Sequence, residues 1–194
     1  VEPDELAPFV IDGWLRSGDG ETDTAEEAAR RDAAAEDAAL PSWPAVASAR
    51  QAPGALAGVY DRAAARVAAG EVVRRLERSE RPVILAGSAV RSSGALAGFR
   101  QVIDQLRIPV CLAWNAGDLL PDDHPQFIGR PGTVGDRAGN FALQNSDFAL
   151  VLGCRLNIRQ IGYEFRAFAH HAYRVHVDID EAELAKPTVF PDMS

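Results

Sequence analysis

Short apolar runs alternate with stretches of helical periodicity from residue 60 onward. Three apolar runs, 82–87, 108–113 and 148–153, have the length and composition of strands buried in a sheet, and 173–178 predicts a last strand. Between them lie segments in which apolar residues recur every three or four positions, as on one face of a helix. Strands that alternate with helices predict a three-layer α/β fold, with a mostly parallel sheet and helices on both faces.

Helical spacing occurs in four segments, 60–80, 88–105, 132–144 and 165–169, and the polar segment 115–129 predicts a long loop. The apolar face expected in the first helix comprises Val67, Val72, Val73 and Leu76. The face expected in the second helix comprises Leu96, Phe99, Val102, Ile103 and Leu106.

Residues 1–58 differ in composition from the rest. Residues 1–40 carry twelve Asp and Glu against three Arg, a local charge of −9, whereas residues 41–194 carry +1. The tract 22–40 has few large apolar side chains, so it predicts a poorly anchored helix or a linker, and the prolines and glycines of 41–58 predict a connector. The sequence thus divides into an acidic N-terminal segment with its connector, 1–58, and an α/β domain, 59–190.

The charge distribution excludes some classes of function. With a net charge of −8, a pI near 5.0 and no Lys/Arg-rich block, the chain lacks the clustered cations that nucleic acids require. Its apolar runs are far shorter than the roughly 18 residues of a membrane span. A cytoplasmic location with no membrane or nucleic-acid partner is expected.

Neither the two cysteines nor the four histidines form a metal-ligating pattern. Cys111 and Cys154 adjoin strand-like runs and are expected to be small buried hydrophobic residues. His170 and His171 are expected near a helix end before the last strand, where the helix dipole accounts for them. We predict no metal site and no catalytic residue in this chain.

Three strand ends carry residues suited to a ligand: 87–88, 153–155 and 178–180. The carboxyl ends of parallel strands meet at one edge, so glycine backbone, arginine and carboxylate would converge there. The turn 132–135, at the head of a helix, could offer N–H groups to a diphosphate, with Arg155 or Arg159 adding charge-assisted bonds. Asp178 could accept a bond from ribose or adenine. This arrangement predicts a dinucleotide site. Each feature taken alone is also common in turns and on protein surfaces.

Several known signatures are absent from the sequence. The first strand ends in Gly87 followed by Ser-Ala-Val-Arg, which is not G-x-G-x-x-G, so an ordinary Rossmann dehydrogenase is disfavoured. No nucleophile elbow, phosphate-binding loop with lysine or glycosidase-like acid pair occurs.

The segments RPVILAG, GTVGDRAGNFALQNSDFALVLGCRL and VHVDIDEAELAKP identify a resemblance. From residue 81 to 189 the chain resembles the central domain of thiamine diphosphate-dependent enzymes of the acetolactate synthase type. The segment 155–189 is similar to members that act in branched or modified sugar biosynthesis. The resemblance implies a parallel sheet of six strands and, in the synthase branch, an FAD that is structural and does not turn over.

Carried over by position, the resemblance places FAD against residues that follow the strands or open a helix. They are Gly87, Ser88, Ala113, Trp114, Gly132, Thr133, Val134, Gly135, Gly153, Cys154, Arg155, Asn157, Arg159, Asp178 and Ile179. The sequence departs from the family where Asn157 replaces aspartate and Trp114 replaces an aliphatic residue. Arg50 could supply the linker arginine that clamps the flavin in relatives.

The resemblance also implies partners. The family's activating glutamate and its magnesium–diphosphate motif lie in two other domains, so thiamine diphosphate and Mg would bind only in the complete enzyme. We expect this chain to be a fragment or one polypeptide of a split enzyme, inactive alone, which joins the remaining thiamine-binding domains in a homo-oligomer. Two alternatives remain: an assembly module whose nucleotide site has decayed, and an NAD-binding enzyme domain of the deacetylase-like branch.

Overall fold

The computed structural model describes residues 62–194. The expectations for the acidic segment, for the connector and for Arg50 lie outside these residues. In chain order the elements are α1 (Arg62–Leu76), β1 (Pro82–Ala86), α2 (Ala89–Ser92), α3 (Leu96–Leu106), β2 (Val110–Leu112), β3 (Phe127–Gly129), α4 (Arg137–Gln144), β4 (Phe148–Leu152), α5 (Ile158–Ile161), a 3-10 turn (Phe165–Ala167), β5 (Tyr173–Val177) and α6 (Glu181–Leu184).

The strands form one parallel sheet in the order β3-β2-β1-β4-β5. Strand β1 lies at the centre, where Ile84 pairs with Val110 of β2 and with Leu150 of β4. All five residues of β4 are buried, as expected of a strand covered on both faces. The three-layer α/β fold predicted from the alternating pattern is confirmed.

The sheet described in residues 62–194 has five strands, so the expectation of six is wrong for this part of the chain. The outer edge of β5 is met by an isolated parallel bridge between Val175 and Met193. The N–H of His176 donates to the carbonyl oxygen of Met193 at 2.9 Å, and the N–H of Asp192 donates to the carbonyl oxygen of Arg174 at 2.8 Å. One strand, β3, lies inside the segment predicted as a loop, 115–129. It escaped the pattern because it has three residues and only Gly129 among them is buried.

Three helix predictions are corrected. The segment 88–105 is split between α2 and α3 because Gly94 takes the left-handed φ of 77°, a conformation that ends helices. The helix expected from residue 132 begins at Arg137, since its N-cap residue Asp136 still has an extended backbone. The segment 165–169 forms only the short 3-10 turn, so His170 and His171 follow a turn and their imidazole rings lie 3.7 Å apart.

The apolar faces of the two long helices are largely as predicted. Phe99, Val102 and Ile103 of α3 are buried. In α1, however, Val67 is 72% exposed, while Val72 is buried. Five residues correspond to a rotation of about 140° around a helix, which carries Val67 off the buried face. No helix within residues 62–194 is long and apolar enough to cross a membrane.

Candidate functional site

The order of the strands reverses between β1 and β4. From β1 the chain runs outward through β2 to β3 and then crosses back to lay β4 on the other side of β1. In open α/β sheets ligands bind beyond the carboxyl ends of strands at such a reversal. The predicted site residues follow the carboxyl ends of β1, β2, β3, β4 and β5, so the sheet brings them to one edge.

The glycine after β1 allows close packing against the end of β4. A Cβ atom on Gly87 would lie 2.1 Å from the carbonyl oxygen of Gly153 and 2.6 Å from the Cα atom of Cys154. The N–H of Gly87 donates to the carbonyl oxygen of Leu152 at 2.8 Å. The close approach that we expected a ligand to make at this glycine is made by the end of β4.

The loop after β4 has a constrained backbone. Gly153 has a φ of 54° and Leu156 a φ of 47°, a left-handed conformation that is costly for leucine. Asn157 then caps α5, its side-chain oxygen accepting from the N–H of Arg159 at 3.0 Å. The amide that departs from the family pattern therefore has a local structural role in addition to any contact with a ligand.

An arginine and a tryptophan meet at the carboxyl edge of the sheet. The guanidinium carbon of Arg159 lies 5.6 Å from the centroid of the Trp114 ring, which is 59% exposed. The carbonyl oxygen of Arg159 also accepts from the N–H of Thr133 at 2.8 Å, which ties the turn 132–135 to α5. Nearby, Asn115 donates to the hydroxyl of Ser88 at 3.2 Å. The edge thus presents a cation stacked on an accessible aromatic ring.

Most N–H groups of the turn 132–135 are already bonded. The N–H of Gly132 donates to the side chain of Asn140 at 2.9 Å, that of Thr133 to Arg159, and that of Gly135 to the carbonyl oxygen of Gly132 at 3.1 Å. The expectation that this turn offers its N–H groups to a diphosphate is therefore corrected for these three donors. What the turn does present is the side chain of Val134, which is 97% exposed.

Asp178, at the end of β5, has one carboxylate oxygen in use and one buried without a partner. Its Oδ1 accepts from the N–H of Asp180 at 3.1 Å. Its Oδ2 is buried and has no hydrogen-bond partner within the described residues. A buried carboxylate oxygen without a donor is costly, so a hydrogen-bond donor that reached this atom would stabilise it. The neighbouring Ile179 is 45% exposed and adds an apolar contact surface.

Arg155 belongs to a charged cluster that the sequence patterns did not reveal. Its Nε and Nη2 donate to Oε1 of Glu183 at 2.8 and 2.5 Å, and Lys186 donates to the other oxygen of Glu183 at 2.7 Å. The hydrogen bond from Lys186, followed by that from Arg155, holds the pKa of Glu183 below its ordinary value despite burial. The available signal was the helical i, i+3 spacing of Glu183 and Lys186 directly after the strand-end aspartates.

His176 and the two cysteines lie in the interior beneath the site. His176 is 2% exposed, and its Nε2–H donates to the carbonyl oxygen of Cys154 at 2.9 Å. Burial raises the pKa of the Cys111 thiol to about 12 and that of the Cys154 thiol to about 11. The prediction that both cysteines are buried is confirmed.

The burial of His176 leads to a prediction about stability and pH. Burial lowers the pKa of His176 in the folded state, outweighing the opposing effects of the Cys154 carbonyl and of Asp178. The unfolded chain then binds the proton more readily than the folded chain. The contribution of neutral His176 to the free energy of unfolding is therefore fully present above pH about 6.5. It is lost as the pH drops below that value, by up to about 1.4 kcal/mol per pH unit. Urea unfolding between pH 7.5 and 5 should show this slope, and it should flatten in His176→Gln. The matched change His171→Gln, at an exposed position, should leave the slope intact.

The predicted site residues divide into three classes of exposure. Those exposed are Trp114, Thr133, Val134, Gly135, Arg155, Asn157, Arg159 and Ile179. Those partly exposed are Ser88, Gly132 and Asp178, and those buried are Gly87, Ala113, Gly153 and Cys154. Within residues 62–194 no group of three or more His, Cys, Asp and Glu side chains is arranged to hold a metal ion.

Comparison with known proteins agrees with this architecture. A family model described as thiamine pyrophosphate enzyme, central domain, matches residues 69–193. The chain is 38% identical over 116 residues to a probable acetolactate synthase large subunit of Methanocaldococcus jannaschii, which covers 60% of this chain and 20% of that protein.

Two further relatives give the same picture. The acetolactate synthase large subunit of Lactococcus lactis is 34% identical over 116 residues, covering 60% of this chain and 20% of the relative. The acetolactate synthase isozyme 1 large subunit of Escherichia coli is 36% identical over 111 residues, covering 57% and 19%. The chain matches only about a fifth of the length of these curated relatives. Through residues 69–193 it belongs to the thiamine pyrophosphate enzyme central-domain family.

Proposed function

We propose that this domain binds FAD, or another adenine nucleotide, at the carboxyl edge of β1, β4 and β5 as a structural cofactor. The observation that carries the proposal is the buried Oδ2 of Asp178, which has no donor within the described residues. A ribose hydroxyl or an adenine amine supplies such a donor. The residues present fit the cofactor, because an acceptor, exposed cations and an exposed indole are the groups that a sugar, a diphosphate and a flat ring require.

Charge and aromatic character support the same ligand class. The indole of Trp114 offers a flat surface, and the guanidinium of Arg159 lies over it, so a planar ring could extend the stack. Arg155 and Arg159 are both exposed at this edge and can attract phosphate groups. These side chains bind and orient, so the domain contributes anchoring of the cofactor.

We further propose that the domain, over residues 59–190, works within a larger thiamine diphosphate-dependent carboligase or decarboxylase. The similarity to acetolactate synthase large subunits, of which this chain matches about a fifth, supports that role. Thiamine diphosphate would there act as the electron sink for a 2-oxo acid, and it would be held by the remaining domains. The partners are then those domains or subunits, in a homo-oligomer, and the isolated chain is inactive in the thiamine reaction.

Asp178→Asn tests the nucleotide site. The amide keeps Oδ1 but places N–H groups where Oδ2 accepts, so we expect affinity for ADP to fall about tenfold, the effect of losing one hydrogen bond to a charged group. Isothermal titration of the full chain with FAD and with ADP provides the measurement. Asp123→Asn, at an exposed position in the loop after β2, is the matched control and should bind as the unchanged chain does.

The outcomes separate the alternatives. A folded chain that shows no saturable binding of either nucleotide would refute the binding proposal and favour an assembly module with a decayed site. In that case Arg155→Ala and Arg159→Ala would leave the melting temperature the same with and without FAD. Consumption of NAD by the isolated chain would instead favour a deacetylase-like enzyme.

A further inference from the structure

Helix α6 begins four positions after the last residue of β5, and two side chains from the helix and the residues just beyond it contact the loop 153–157. Glu183 binds the side chain of Arg155, and Lys186, just past the helix end, binds the backbone of the same loop. The loop that follows β4 is therefore fixed by a segment that follows β5. Both segments flank the proposed nucleotide site.

The contact between Glu183 and Arg155 has a defined geometry. One oxygen of Glu183 accepts from Nε at 2.8 Å and from Nη2 at 2.5 Å, which is the side-on face of the guanidinium. Within residues 62–194, Nη1 of Arg155 has no hydrogen-bond partner. Because the guanidinium is planar and rigid, holding its Nε and Nη2 edge directs Nη1 away from Glu183.

Burial distinguishes this cluster from an ordinary surface ion pair. The side chain of Glu183 is 13% exposed and that of Lys186 is 21% exposed, whereas Arg155 is 72% exposed. The carboxylate of Glu183 therefore lies on the protein side of the cluster, and the guanidinium of Arg155 lies on the solvent side. An exposed pair alone would be weak evidence, but here two cations bind one partly buried carboxylate, which restricts the motion of both.

Lys186 fixes the backbone that carries Arg155. Its Nζ donates to the carbonyl oxygen of Arg155 and, at 3.2 Å, to that of Leu156. Leu156 has the left-handed φ of 47°, which the surrounding contacts must maintain. The segment 183–186 thus holds both the backbone and the side chain at the point where a phosphate is expected.

We propose that Glu183 is a positioning residue, which holds Arg155 so that Nη1 faces the diphosphate of an adenine nucleotide. Lys186 assists by holding the loop, and Glu183 itself does not touch the ligand. The inference rests on the proposed nucleotide-binding function and deepens it. Its specific content is that Glu183 strengthens recognition of phosphate and leaves recognition of the nucleoside unchanged.

The experiment compares ADP with adenosine, by titration calorimetry on the full chain. Arg155→Ala and Glu183→Gln should each weaken ADP about tenfold, because each removes an oriented charge-assisted bond, and should leave adenosine binding unchanged. The double variant should lose no more than either single variant, since both changes remove the same interaction. Glu181→Gln, an exposed carboxylate on the same helix, is the matched control.

Each outcome decides the inference. Equal losses for ADP and adenosine in Glu183→Gln would show a general structural role, and tighter ADP binding would show that Glu183 competes with the ligand; either overturns the inference. If the unchanged chain binds ADP and Glu183→Gln binds it equally well, the inference fails while the proposed function stands. If the unchanged chain binds neither ligand, the proposed function itself fails and the inference with it.

A second variant covers the case in which Glu183→Gln does not fold. Arg155→Lys keeps the charge but cannot make the side-on pair with Glu183. We expect it to reduce the ratio of ADP to adenosine affinity as Arg155→Ala does. A ratio equal to that of the unchanged chain would mean that charge alone suffices, and it would overturn the positioning role.

Discussion

Gly87→Ala is expected to destabilise the folded chain by about 3 kcal/mol or more, the upper range for forcing atoms into a packed interior. The added methyl carbon would lie 2.1 Å from the carbonyl oxygen of Gly153. Neither that oxygen nor Gly87 can move far, because β1 and β4 are paired along five residues and both are buried. Equilibrium urea unfolding, followed by far-ultraviolet circular dichroism, measures the loss.

The same substitution at Gly70 is the control. Gly70 lies within α1, where a methyl carbon would meet only the end of the Arg74 side chain, at 3.5 Å. Alanine favours the helix over glycine by roughly 0.5–1 kcal/mol, so Gly70→Ala should be neutral or stabilising. A chain that tolerates Gly87→Ala as well as Gly70→Ala would contradict the close contact between the two strand ends.

Phe148→Ala should cost about 3–5 kcal/mol, the usual range for deleting a buried aromatic ring. Phe148 begins β4, is 1% exposed and stacks against the ring of Tyr173 with centroids 6.3 Å apart. Its removal leaves a cavity between two paired strands, which can collapse little without breaking their register. Thermal unfolding should therefore show a large drop in melting temperature.

Phe141→Ala supplies the comparison for Phe148→Ala. Phe141 lies on α4 and is 69% exposed, so its truncation should change stability by less than about 0.5 kcal/mol. A loss at Phe141 comparable with that at Phe148 would mean that the exposed ring is covered in solution. Size-exclusion chromatography of both variants would then test whether copies of the chain associate through α4.

The fold was largely predictable because its central strands are distinctive. The run Phe148–Leu152 is wholly uncharged and ends at glycine, and it forms a strand with those bounds. Strand β3 was not predictable, because three residues give no period and the pairing with β2 at Cys111 arises from the rest of the sheet. The break at Gly94 shows that periodicity alone cannot tell one helix from two that share a face.

The positions of the candidate residues in the fold were predictable from the sequence, and their contacts were less so. Sequence placed Arg155 and Asp178 at neighbouring strand ends, and the strand order puts them there. It did not reveal that Glu183 holds Arg155, because that contact depends on how α6 folds back over the loop. The sequence also could not distinguish a glycine that leaves room for a ligand from Gly87, which leaves room for the end of the adjoining strand β4.

The central place of β1 in the sheet has a consequence for how the chain folds. Ile84 pairs with Val110, 26 positions later, but also with Leu150, 66 positions later. During synthesis β1, β2 and β3 leave the ribosome before β4, so one apolar edge of the central strand stays without its partner. Such unpaired edges favour association between chains, and pairings so distant in sequence form slowly. We therefore expect the nascent domain to be most prone to aggregation in the interval before β4 arrives.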